Sequence, residues 1–580
     1  MLRLFRFLKP YTWNLFWVAA FLFAQSIANL YLPTLMADIV NNGMISGNTG
    51  YIMRYGVYML IVAFGSSICS IIGGYMGAVT GVGFGRDTRD RVFAKVESYS
   101  LYEFDKMGTA SLITRTTNDI TQVQTVLVMG LRFMVFAPIM CVGGIIMAYS
   151  KDRHLTLVLL AVLPFMLVLM GVFAGLIVPM FQSMQARLDK VNLVLRENLT
   201  GIRVIRAFNR QRSEGARFDA ANRDLTDVSI KVNQIMAVMQ PIMMLIMNVT
   251  TVAIIWFGGL RVGQNLMQVG DMMAFLQYAM MIMFSIIMVT IMFIMIPRAQ
   301  ASAVRINEVL DLQPEIVDPA PAKQAGSRVP SGRGRVEFRD VTFSYPGAEM
   351  PAISHITFTA APGEVTAIIG GTGSGKSTLI NLIPRFYDVD SGQVLVDGVD
   401  VREMTMHDLR QRIGFVPQSP ILFSGTIAEN IRYGKPGATD QEVVYAAKVA
   451  QASEFINSLP TGYESEVAQG GTNLSGGQKQ RLSIARALVR RPGIYILDDS
   501  FSALDFKTDA RLRAALKKET TASTVLIIAQ RVSTVMDADR IIVLDSGQTV
   551  GIGKHKELLD TNKVYREIVT SQLSEEEIAG

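Results

Sequence analysis

Gly370-Gly371-Thr372-Gly373-Ser374-Gly375-Lys376-Ser377-Thr378 is the stretch on which the fold class turns. It fits the P-loop pattern G-x-x-x-x-G-K-[ST]. The apolar run Glu364–Ile369 before it reads as a strand, and a helical pattern opens at Ser377. Glycines let successive backbone N–H groups turn toward phosphate oxygens. The start of the following helix adds positive potential. In such a loop Lys376 reaches the β- and γ-phosphates of a nucleotide, and the Ser377 hydroxyl ligates Mg2+.

Further along, Ile494-Tyr495-Ile496-Leu497 reads as a buried strand ending in Asp498. A carboxylate at that position meets the metal shell, as in a Walker B strand. Between the two motifs lies Leu474-Ser475-Gly476-Gly477-Gln478, followed by a basic helix start. From Val336–Phe343 onward short β-rich runs alternate with helical ones, the pattern of an α/β nucleotide-binding domain.

The other half of the chain is a different material. Half of the 580 residues are hydrophobic and only 18% are charged, against about 25% in an average soluble protein. The apolar excess lies in the first 300 residues, which hold six candidate membrane spans: 13–40, 52–82, 126–150, 155–179, 235–258 and 271–297. The connections Asn41–Gly50, Lys151–His154 and Gly258–Gln268 are short and carry few basic residues. The connections Arg86–Asp119 and Met180–Lys231 are long and rich in Lys and Arg. The positive-inside bias places these long connections and both termini in the cytosol. Both keep helical periodicity, so they read as membrane helices continuing into the cytosol. A short crossing helix is expected in each, near Tyr102–Leu112 and near Gln211–Phe218.

The net charge of +6 sits beside the apolar runs, which argues for a membrane and against nucleic acid. Cys69 and Cys141 both lie in apolar stretches and read as small buried hydrophobes. The first apolar run has no A-x-A-like cleavage site and reads as a retained span. Met236, Met239, Met243 and Met247, then Met273, Met280, Met281, Met288, Met292 and Met295, recur at helical spacing. They line an adaptable apolar surface or fill lipid-facing and core positions; spacing leaves both open. The domains are therefore expected at 1–310 (six transmembrane helices with long cytosolic extensions), 311–335 (linker) and 336–580 (α/β P-loop cassette).

The order P-loop, Gln418 in Val416-Pro417-Gln418, Leu474–Gln478, Asp498 and Ser502-Ala503-Leu504-Asp505 resembles an ATP-binding cassette of the ABC transporter superfamily. The six-span half, and the segment Glu197–Phe208, resemble multidrug-type exporters of that family. The resemblance implies ATP and Mg2+ as ligands, a second half-transporter as partner, and a bacterial inner or plasma membrane. It implies that Tyr345 stacks on adenine and that Gln418 completes the Mg2+ shell begun by Ser377 and Asp498. It also implies that Asp505 communicates between two cassettes, and that Leu474, Ser475, Gly476, Gly477 and Gln478 act on ATP held by the partner's P-loop.

The chain departs from this family at three points. Asp499 stands where the family has Glu to polarise the attacking water, and Gln530 stands at the switch position of a His. Gln469 replaces a Glu before the signature. The four histidines, His154, His355, His407 and His555, leave none near the switch. Asp is shorter than Glu by roughly 1.5 Å of reach, and a displacement of about 1 Å costs about 100-fold in rate. Gln530 cannot titrate. The expectation is a site that holds ATP–Mg2+ and splits it poorly, in a heterodimer whose partner carries Glu and His. A homodimer tolerating Asp and Gln is the competing expectation. The expected cargo is hydrophobic or amphipathic, since few charges interrupt the spans. A dedicated lipid or peptide exporter, or an ATP-gated channel, are the alternatives.

Overall fold

The computed structural model describes residues 1, 3–319 and 334–573, which divide into two units. One comprises Met1–Glu97 with Gly108–Leu312, the other Ser98–Met107 with Gln313–Gly580. The expected linker falls mostly on residues 320–333, outside the described residues.

The first unit is built from helices α1 (Thr12–Asp38) and α2 (Thr49–Glu97), then α3 (Leu101–Met107) of the other unit intervenes, and α4 (Thr109–Thr114), α5 (Ile120–Lys151), α6 (Arg153–Thr200), α7 (Ile202–Ala207), α8 (Gln211–Gly263) and α9 (Val269–Asp311) complete it. Among the described residues six stretches are long and apolar enough to cross a membrane, and each contains one of the predicted spans. At 1.5 Å per residue the 49 residues of α2 run to roughly 74 Å. That is more than twice the ~30 Å hydrocarbon layer, so the helices extend well beyond it as the polar periodicity predicts.

Close packing of α2 is made by glycines one turn apart. A Cβ on Gly81 would lie 2.2 Å from Val128 Cγ2 of α5, and one on Gly85 would lie 2.2 Å from Gln124 Oε1. Gly73 faces α1 less tightly: a Cβ there would lie 3.4 Å from Phe21 Cβ, an ordinary contact. Small residues at this spacing let helix backbones approach where water supplies no driving force. Helix α5 packs most extensively on α9, and α1 on α2, while α6 packs mainly on α8.

Charged side chains tie the bundle at its ends. Asp152 caps α6, accepting from the His154 and Leu155 N–H groups at 2.8 and 2.9 Å, and pairs with Arg261 at the end of α8. Lys151 pairs with Asp271 at 2.8 Å. This accounts for the tight turn expected at Lys151–His154. At the opposite end buried Asp119 pairs with Arg305 and accepts from Ser302 of α9.

The first expected crossing helix is α3, which ends at Gly108, whose φ of +74° suits glycine. The second expectation requires correction: Gln211–Phe218 lies inside the first turns of α8, and the short crossing helix is α7. Gly201 interrupts the ladder before it, and Asn209, at φ +53°, reverses the chain after it. Asn tolerates that left-handed conformation better than most residues.

In the second unit strands β1 (Val336–Phe343), β2 (Ile353–Ala360), β4 (Ser391–Val396) and β5 (Val399–Asp400) form an antiparallel sheet in the order β2-β1-β4-β5. Strands β3 (Val365–Gly370), β6 (Ile413–Val416), β9 (Ile494–Asp498), β10 (Thr524–Ile528), β11 (Arg540–Asp545) and β12 (Gln548–Gly553) form a six-stranded sheet ordered β12-β11-β3-β10-β9-β6. β7 (Gly425–Thr426) and β8 (Glu466–Val467) make a small separate pair. All but β12 run parallel in the six-stranded sheet. Its central strands are buried on both faces. On β9, Tyr495 and Leu497 enter one core while Ile494 and Ile496 enter the other. Two buried faces explain why these strands read as unbroken apolar runs.

Candidate functional site

The register of the parallel sheet gathers the motifs at one edge. Ile528 of β10 stands beside Asp498 of β9 on one side and Ile368 of β3 on the other. The P-loop, the Asp498-Asp499 pair and Gln530 thus leave the carboxyl ends of three neighbouring strands. Open α/β sheets bind ligands at that edge.

After β3 the chain turns through Gly373 (φ +80°) and Gly375 (φ +90°) into helix α10 (Lys376–Asn381). The helix starts one residue before the sequence pattern indicates. A Cβ on Gly371 or Gly373 meets nothing within 4 Å, so both flank open space. At Gly375 a Cβ would lie 2.5 Å from Ile353 Cγ2 and 2.8 Å from the Ala352 carbonyl. Gly375→Ala therefore combines a strained φ, about 1–3 kcal/mol, with a clash against backbone. ATP affinity is expected to fall at least tenfold in an equilibrium titration of the purified chain with fluorescent ATP.

Lys376 Nζ donates to the carbonyls of Gly370 (2.9 Å) and Gly371 (2.6 Å), so the ammonium lies across the loop it serves. Burial pushes its pKa down, against the opposing pull of Asp498 and Asp499. Burial raises the Asp498 carboxyl above the usual range, and the Ser377 hydroxyl, donating at 3.5 Å, partly offsets this. A buried carboxylate beside a hydroxyl, with phosphates to come, is the oxygen donor set Mg2+ takes. Among the described residues no group of three His, Cys, Asp or Glu side chains forms a separate metal cage. Gln418 is exposed two residues beyond β6, which lies next to β9.

Asp499 is 9% exposed and has φ +43°. Its N–H donates to the Ile528 carbonyl at 3.0 Å, linking it to the strand that leads to Gln530. The Gln530 side chain is exposed. Its carbonyl accepts from Gln572 Nε2 at 2.9 Å, and Gln572 Oε1 accepts from the Val532 N–H, also at 2.9 Å. Gln572 thus clamps the switch loop from the far end of the unit. No local sequence signal marks it.

Tyr345 is 38% exposed, and its hydroxyl lies 3.1 Å from Thr378 Oγ1 at the start of α10. Phe343 and Tyr387 meet the ring edge-on at 5.1 and 5.4 Å, fixing its plane beside the P-loop. Tyr387 escaped the sequence reading. Burial, with Asp105 of α3 beside it, pushes its hydroxyl up to about 12. Helix α3 is further anchored by buried Glu103, which accepts from the Ser100 N–H and the Glu315 N–H at 2.8 and 2.9 Å.

The signature residues stand apart. Ser475 and Gln478 form a capping box at the start of helix α11 (Gly476–Val489). Leu474 packs on the core, and Gly477 lies against Ala503 and Leu504. Ser475 and Gly476 are exposed, and a Cβ on Gly476 meets nothing within 4 Å. Among the described residues no hydrogen bond joins Leu474–Gln478 to this chain's own P-loop. Asp505 caps the next helix, α12 (Phe506–Glu519), accepting from the Thr508 N–H at 2.9 Å; that contact with Thr508 holds its carboxyl below the usual range.

In the first unit a cavity of about 680 Å3 opens among α1, α5, α8 and α9. Met247, Met280, Met281 and Met288 line it, joined by Met140 and Phe136. Met243 and Met292 are buried in the core, and Met236 and Met273 are exposed. The methionines thus divide between the two roles left open by spacing.

Comparison with known proteins agrees with this architecture. The model of the ABC transporter transmembrane region matches residues 15–287, and the ABC transporter model matches residues 353–502. The chain is 44% identical to an uncharacterized ABC transporter ATP-binding protein of Mycobacterium tuberculosis, with 94% of each chain covered. It is 33% identical to an ATP-dependent lipid A-core flippase of Syntrophus aciditrophicus, over 85% of this chain and 81% of that one. Its structure is similar to that of a bacterial Atm1-family ABC exporter with ATP bound. The TM-score is 0.80 and the identity 26%, with 97% of this chain and 98% of that chain covered.

Proposed function

The chain belongs to the ABC transporters as an exporter-type half-transporter, a multi-pass membrane protein with an ATP-hydrolysing cassette, and we propose that it drives hydrophobic or amphipathic compounds out of the cell as one half of a heterodimer. The cargo reading rests on the methionine- and phenylalanine-lined cavity, whose flexible thioethers repack around varied apolar ligands. The flippase among its relatives acts, by its name, on a lipid. Both termini and the long helical extensions are assigned to the cytosol.

The partner is inferred from surfaces this chain leaves open. Phe208, just after α7, is 73% exposed and Val204 is 61% exposed, outside the apolar spans. Exposed Ser475 and Gly476 fit a site completed on another chain. Closure of two cassettes on ATP would open the membrane halves outward, and hydrolysis would reset them. Lys376, Ser377 and Asp498 would hold ATP with Mg2+, and Gln418 would reach the same shell. Mg2+ would supply charge neutralisation of the phosphates. Asp499 and Gln530 make this chain's own site slow, so turnover falls to the partner's P-loop facing this chain's signature.

Two outcomes test the reading. Purified without a partner, the chain should bind ATP yet show little ATPase activity; vigorous turnover would defeat it. Gly476→Asp places a carboxylate in open space at a helix start, where this chain tolerates it. In the assembled transporter it should abolish most hydrolysis while leaving ATP binding by this chain intact. Unchanged turnover would defeat the shared site.

A further inference from the structure

Among the described residues that line the cavity of the membrane unit, Arg132 of α5 carries a charge and no carboxylate joins it. Arg132 makes no hydrogen bond or ion pair among the described residues, whereas Lys151, Arg261 and Arg305 at the ends of the same bundle are paired. It lies roughly 28 Å along the helix from Lys151, close to the ~30 Å depth of the hydrocarbon layer. At that depth the guanidinium stands at the edge of the layer away from Lys151, level with the headgroups of an anionic amphiphile.

A second polar group in the same cavity is uncommitted. Gln25 of α1 is 8% exposed, and its amide oxygen has no hydrogen-bond partner. One turn on, Asn29 also lines the cavity, but its Oδ1 is occupied by the Ser66 hydroxyl at 2.7 Å. A buried amide without partners is unfavourable unless something else supplies them. The remaining walls are thioether and aromatic. The volume lies within the ~300–1,000 Å3 of small-molecule sites.

Building on the export reading above, we propose that the cargo is a single-chain amphipathic anion whose carboxylate or phosphate head is held by Arg132. Its apolar chain lies against Phe136, Met281 and Met288, and Gln25 hydrogen-bonds a polar group of the same molecule. Guanidinium matches either head with two parallel N–H donors. A neutral amphiphile of equal length leaves the guanidinium unpaired in apolar surroundings and binds less tightly. Helix α5 thus discriminates by charge where the methionines do not discriminate by shape.

The test uses the assembly purified through a tagged copy of this chain, in nanodiscs of phosphatidylcholine. Three photoactivatable probes of one chain length are compared: a fatty acid, an alkyl phosphate and the alcohol. Labelled peptides of this chain are mapped by mass spectrometry. At least one anionic probe should label peptides of α5 and α9 at a tenfold lower concentration than the alcohol. Arg132→Gln should remove that tenfold preference, and Arg132→Lys should keep most of it. Gln25→Leu should weaken labelling severalfold without loss of folded protein. Equal labelling by anions and alcohol in the native assembly, or an undiminished preference in Arg132→Gln, overturns the proposal while leaving the export reading standing. No labelling of the cavity by any probe overturns both.

Discussion

Asp499→Glu combined with Gln530→His should raise ATP hydrolysis at this chain's own site by about 100-fold. The reasoning is geometric. Asp499 and Gln530 leave adjacent strands at the same edge, with the Asp499 N–H bonded to the Ile528 carbonyl. Both substitutions therefore act on one small region beside Asp498 and Lys376. Glu restores roughly 1.5 Å of reach, and about 1 Å of misplacement accounts for about 100-fold in rate. His adds a group that can be charged near neutral pH, which Gln cannot. The left-handed backbone at Asp499 (φ +43°) sets a modest cost, because Asp accepts that conformation more readily than Glu. Stability should fall slightly while the rate rises. The measurement is single-turnover hydrolysis in an assembly whose partner P-loop lysine has been removed, so that only this site contributes. A rate unchanged by the double substitution would place the defect elsewhere.

The second large effect is expected from Lys376→Ala: loss of about 100-fold in affinity for ATP. Lys376 already stands at the loop, its ammonium on the carbonyls of Gly370 and Gly371, with Asp498 and Asp499 in its field. Hydrogen bonds to charged groups contribute about 1.5–3 kcal/mol, and about 3 kcal/mol is a factor near 100. The substitution also frees the two carbonyls and leaves Asp498 and Asp499 without a nearby cation, which disfavours an anionic ligand further. Photolabelling with an azido-ATP analogue should drop on this chain and persist on its partner. Equal loss on both chains would mean that the two sites bind only together.

Much of the nucleotide site was legible because its chemistry is local in sequence. Nine consecutive residues make a P-loop, since glycines, a lysine and a hydroxyl must succeed one another along one turn. Asp498 was readable because a strand buried on both faces is uniformly apolar until its last residue. Other members were not. Tyr387 meets Tyr345 across a separation of 42 residues, and Gln572 reaches Gln530 from the far end of the unit; neither neighbourhood carries a signal. The position of α7 was misjudged because helical periodicity continues on both sides of the break, and only Gly201 and Asn209 mark it.

By itself the sequence determined the two kinds of solvent this chain faces, the six long apolar helices, the β–P-loop–helix order and the departures at Asp499 and Gln530. These depend on residue type and on spacings within one element. Tertiary structure decided which methionines face a cavity, that Ser475 and Gly476 are exposed without a hydrogen bond to this chain's own loop, and that unpaired Arg132 lines the same cavity as Gln25. Those outcomes depend on how separate helices and strands pack, and packing joins residues that no spacing along the chain connects.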